Sequence, residues 1–135
     1  PQHVSKKIPM TLSNIHIITN TKAIIFDTTH ETAEQDISVS IKNDSTFPLL
    51  SPLFYKNGIY LSYHLLDDKM NVIANRLSLP LVNNIPAGST QKEFITLYKP
   101  HAQGVYYAKL NLIQDGGHWL LNDESPTPII KIIVK

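Results

Sequence analysis

The chain contains no cysteine. Disulfides, thiolate metal sites and a cysteine nucleophile are therefore excluded. No apolar run approaches the ~20 residues that a helix needs to span a bilayer. Neither sign of charge dominates: 12 Lys and Arg stand against 11 Asp and Glu, a net charge of +1. The charges are scattered, with no basic run longer than Lys6-Lys7. That balance offers no electrostatic footing for nucleic acid or an anionic membrane. Glycine is sparse at 5 residues, and no Gly-x-Ser-x-Gly elbow, phosphate loop or dinucleotide fingerprint occurs. No signal-peptide pattern is present and the chain opens on Pro1, as expected of a domain excised from a longer protein or of a processed chain.

What is present is an ordinary globular balance, 42% hydrophobic and 17% charged over 135 residues, enough for one domain with a core of its own. Apolar side chains recur at every second position. Ile37, Val39 and Ile41 alternate with Ser38, Ser40 and Lys42; Leu61, Tyr63 and Leu65 with Ser62, His64 and Leu66; Tyr106, Ala108, Leu110 and Leu112 with Tyr107, Lys109 and Asn111. Period two marks a strand with one buried face. Turn signals at 43–45, 67–71, 86–89, 101–104 and 115–117 separate these runs, and the 9 prolines fall outside strand interiors.

This pattern predicts strands at 14–19, 22–27, 36–43, 59–66, 71–78, 91–98, 105–114 and 128–134. Residues 1–13 read as a linker or loose N-terminal edge and 14–135 as the domain; 32–36 is at most one helical turn. The fold class is all-β, an antiparallel, immunoglobulin-like, Greek-key β-sandwich of about seven to nine strands. Tyr106, just after Gly104, is placed to form a tyrosine corner, its hydroxyl returning to an upstream backbone group.

Catalysis finds little support. The adjacent Asp67 and Asp68 sit at a hairpin tip, where solvated Asp is the usual turn residue, and Asp123-Glu124 lie in a loop near Asp115. The 6 histidines (3, 16, 30, 64, 101 and 118) show no metal-ligand spacing, so neither a metal nor a cofactor is expected. Binding is the better expectation. If strands 59–66 and 105–114 are neighbours, their outward residues share a face: His64 on one, Tyr107, Lys109 and Asn111 on the other. Arg76, Asp115 and Trp119 would border it. Aromatic faces cover sugar C–H surfaces, and planar polar groups give directional hydrogen bonds. Gln114, with inward parity at a strand end, is expected to bond backbone groups.

The run Ile59-Tyr60-Leu61-Ser62-Tyr63-His64-Leu65-Leu66-Asp67, then Ile85-Pro86-Ala87-Gly88-Ser89, then Gly104-Val105-Tyr106-Tyr107-Ala108-Lys109-Leu110-Asn111-Leu112-Ile113-Gln114-Asp115-Gly116 and Trp119, resembles a bacterial β-sandwich family over about residues 36–125. That family forms the C-terminal domain of the ATP-binding subunits of O-antigen ABC exporters, and similar domains accompany glycosyltransferases. Tryptophans usual in the family are replaced here around Phe47-Pro48 and at Leu65, with an apolar core residue expected at both. The resemblance implies a non-catalytic, glycan-recognising accessory domain in surface-polysaccharide assembly or export, beside a transporter or glycosyltransferase domain, with a cytoplasmic location favoured. The competing expectation is a structural or protein-interaction module. It would dimerise through an edge strand, for which the apolar last strand, 129–135, is the candidate.

Overall fold

A computed structural model describes residues 14–27, 33–75, 79–114, 118–119 and 127–135. Ten strands follow one another along it, with no helix among the described residues: β1 (Ile15–Ile18), β2 (Ala23–Phe26), β3 (Glu34–Asn43), β4 (Ile59–Leu66), β5 (Val72–Asn75), β6 (Leu79–Pro80), β7 (Thr90–Tyr98), β8 (Gly104–Gln114), β9 (His118–Trp119) and β10 (Ile129–Val134). They form two sheets. The smaller runs β1-β3-β7; the larger runs β2-β10-β8-β4-β5, with β6 also on β4 and β9 on β8. The first two strands therefore lie in different sheets, and β2 runs parallel to β10, the exception in an otherwise antiparallel structure.

The two-residue period explains this arrangement. Ile37, Val39 and Ile41 of β3, with Ile95 and Leu97 of β7, turn inward from the small sheet. Tyr63 and Leu110, opposed in the β4–β8 ladder, meet them from the large sheet with Leu61, Leu112, Ile130 and Ile132, all buried. Each fully buried side chain of this size stabilises the fold by about 1.5–3 kcal/mol. Tyr106 packs against the core, and its hydroxyl donates to the Ala102 carbonyl at 2.9 Å, forming the tyrosine corner. Gln114 is buried and donates from Nε2 to the Asn57 carbonyl at 3.0 Å.

Three expectations need correction. Glu34–Asp36 continue β3 instead of starting a helical turn, paired along β7 with Thr96 Oγ1 donating to Asp36 Oδ1 at 2.6 Å. Phe47 is on the surface, and Leu49 fills the interior there through its bridge to Ile85. The last strand is no edge: β10 pairs with β2 on one side and β8 on the other, so it cannot add to another sheet.

Candidate functional site

The β4–β8 ladder places Tyr60 opposite Ile113, Ser62 opposite Asn111, His64 opposite Lys109, and Leu66 opposite Tyr107. Because the core takes Leu61, Tyr63, Leu65, Ala108, Leu110 and Leu112, the alternate residues line the outer face of the large sheet. His64 and Lys109 are thus direct cross-strand neighbours, and β10 extends the row with Ile129 beside Lys109 and Lys131 beside Tyr107.

A depression of about 400 Å³ opens on this face, lined by His64, Leu66, Met70, Val72, Lys109 and Ile129. The hairpin after β4 forms its rim. Asp67 Oδ1 accepts the amides of Lys69 and Asn71 at 2.9 Å each, and Met70 adopts φ 67°. Those bonds, the Asn71 amide foremost, hold the Asp67 carboxyl below the usual Asp range. The floor is apolar and the polar atoms come from one imidazole and one ammonium. No carboxylate stands among the described strand positions of this face, while the hairpin at its rim carries Asp67 and Asp68.

The expected platform assembles in part. His64, Lys109 and Tyr107 share the face, all half-buried. Asn111 has the right parity but is 4% exposed, and its Oδ1 accepts the Leu112 amide at 2.7 Å, so it braces the strand instead of meeting solvent. Trp119 pairs through its backbone with Ile113, four positions along β8 from Lys109, a separation of roughly 13 Å. Arg76 and Asp115 lie outside the described residues, as do Asp123 and Glu124. Leu66, Met70, Val72 and Ile129 were not anticipated. The signal for Leu66 was the doubled Leu65-Leu66, where the alternation slips and the β4–β5 ladder carries a bulge. Among the described residues no three His, Asp or Glu side chains converge on a metal-sized site.

Two sheets packed face to face, a tyrosine corner and a first strand that changes sheet define an immunoglobulin-like β-sandwich. No family model matches the chain, and no curated protein matches it. Solved structures share the fold. The CARDB domain of a Pyrococcus furiosus protein aligns at TM-score 0.48 and 9% identity, over 90% of this chain and 92% of that one. The alkylpurine DNA glycosylase AlkC of Pseudomonas fluorescens aligns at 0.49 and 10%, over 90% of this chain and 31% of that one. The PapD-like domain of human CEP192 aligns at 0.38 and 17%, over 100% and 96%. At these identities the likeness concerns architecture alone.

Proposed function

We propose that this chain is a non-catalytic, carbohydrate-binding accessory domain of bacterial surface-polysaccharide assembly or export, and that its outer large-sheet face holds the glycan. The observation that carries the reading is the register that sets His64 directly beside Lys109, with Tyr107 two residues along and an apolar-floored depression between β8 and the β4–β5 hairpin. Tyr107 offers a ring for a sugar C–H face, His64 and Lys109 offer directional polar contacts, and Lys131 opposite Tyr107 adds positive charge. A glycan carrying carboxylate or phosphate groups suits this charge better than a neutral one. The resemblance of the 59–67 and 104–116 segments to glycan-recognising exporter domains points the same way. Binding would act by capture, raising the concentration of a chain end near an attached transporter or glycosyltransferase.

The test is titration of the purified chain with neutral and acidic bacterial oligosaccharides, followed by calorimetry or heteronuclear chemical shifts. Binding should be weakened at least tenfold in Tyr107→Ala and in Lys109→Ala with unchanged circular dichroism, and acidic glycans should bind more tightly than neutral ones. Saturable binding left intact by both substitutions would overturn the assignment of the face.

A further inference from the structure

Both sheets keep their longest strand in the interior, but the small sheet also leaves a long strand at its margin. β7 has nine residues and lies at the margin, pairing only with β3 among the described residues. Among the described residues the other margin stretches are shorter, four residues in β1, β2 and β5 and two in β6 and β9. β7 has no proline and no bulge, since its register with β3 runs unbroken from Thr90 to Tyr98. A long, regular, bare edge is a template for another strand.

Which backbone groups face outward can be worked out. Lys99 N–H donates to the Ala33 carbonyl at 2.8 Å, and Asn43 N–H to the Ser89 carbonyl at 2.9 Å. Antiparallel ladders alternate hydrogen-bonded and non-bonded pairs, so odd-numbered residues of β7 bond β3 and even-numbered ones aim N–H and C=O away from it. Tyr98 confirms the parity: its amide donates away from β3, to the Tyr63 hydroxyl at 3.0 Å. The outward amides that follow it along the edge belong to Thr96, Phe94, Lys92 and Thr90. Phe94 is also 60% exposed, with the Lys92 ammonium 5.7 Å from its ring centroid.

We propose that β7 is a self-complementary edge through which two copies of this chain pair antiparallel about Phe94, joining their small sheets into one continuous sheet. The occupant follows from the register. Bonding outward groups to outward groups requires even residues opposite even ones. Centring on Lys92 opposes two ammonium groups, and centring on Glu93 opposes two carboxylates, both unfavourable. Centring on Ile95 sets each Phe94 against the second copy's Thr96 and so forgoes an aromatic pair. Centring on Phe94 opposes the two phenyl rings, sets each Lys92 beside the second copy's Thr96 and each Glu93 beside its Ile95, and engages the Lys92, Phe94 and Thr96 amides of both chains, with Thr90 reaching Tyr98 at the ends. The aromatic pair at the dyad buries the exposed ring of each copy. The interface is small, so the dissociation constant expected is roughly 10 µM to 1 mM. β7 lies in the sheet opposite the candidate glycan face, so this pairing stands or falls independently of glycan binding.

Sedimentation equilibrium up to about 1 mM chain should show reversible monomer–dimer exchange in this affinity range. Phe94→Lys, which opposes two charges at the dyad, and Phe94→Pro, which deletes an outward amide without touching the β3 ladder, should remain monomeric with native circular dichroism. Because the chain has no cysteine, single substitutions report the register directly. Phe94→Cys should cross-link on mild oxidation, and Thr90→Cys, which lies roughly 27 Å from its counterpart in this register, should not. A wild-type chain monomeric throughout, or equal cross-linking of the two cysteine variants, would overturn the proposal even if the lysine and proline variants failed to fold.

Discussion

Glu93 turns inward from β7, 9% exposed, and its Oε1 finds no hydrogen-bond partner among the described residues. Burial raises its carboxyl above the ordinary Glu value. The sign of the consequence is fixed by linkage. The native state holds this proton more tightly than the unfolded chain does. Below the ordinary Glu range both states are protonated and the group costs nothing; as pH rises through the raised native value the carboxylate must ionise while dehydrated, and stability falls. Glu93→Gln keeps the shape and removes the charge. Urea unfolding should show the variant more stable than wild type by about 1 kcal/mol at pH 7, with the gap closing near pH 4. A gap that is constant with pH would mean the carboxylate is not responsible. An inward charge on a margin strand also fits a device that restrains promiscuous strand addition, leaving only registers in which it does not meet its own kind.

At the level of single elements, the corner before β8 shows what one hydroxyl does. Tyr106 packs its ring on the core and ties the 101–104 turn by its bond to Ala102. Tyr106→Phe keeps the ring, so the loss should be the hydrogen bond alone, about 1 kcal/mol by thermal unfolding; a loss above about 3 kcal/mol would mean that the ring itself shifts. This corner was legible because Gly104-Val105-Tyr106 opens an alternating strand after a turn. β4 was legible to its end residues, Ile59 and Leu66, because one buried face imposes period two. β6 and β9 were not, since the two described residues of each carry no period. Glu34 and Gln35 escaped because both are exposed, and only their pairing with β7 makes them strand. At the candidate face, alternation told which side Asn111 lies on but not that it would be buried, since cover comes from elsewhere in the fold.

Neighbour order is a property of the whole molecule, and it decides what β10 does. From Ile129 to Val134 the residues form an apolar, β-branched run that reads equally well as a free margin or as a central strand; the pairing makes it central. It joins the beginning of the chain to its end, because β2 has no other strand partner among the described residues, and it covers the flank of β8. Removing it would orphan β2, strip one side of β8 and expose the core beneath Ile130, Ile132 and Val134 in a single step. Stability here should therefore be indivisible. Ile132→Ala, at 0% exposure, should cost about 3 kcal/mol, whereas Ile129→Ala, 42% exposed on the opposite face, should cost less than about 1 kcal/mol. Both should keep one urea transition with an unchanged slope. Deleting residues 129–135 should abolish the cooperative transition and the near-ultraviolet signal of the packed tyrosines together. If that shortened chain still unfolded cooperatively, the two sheets would hold each other without the strand that closes them, and the core would have to be centred on the β3–β7 and β4–β8 pairs instead.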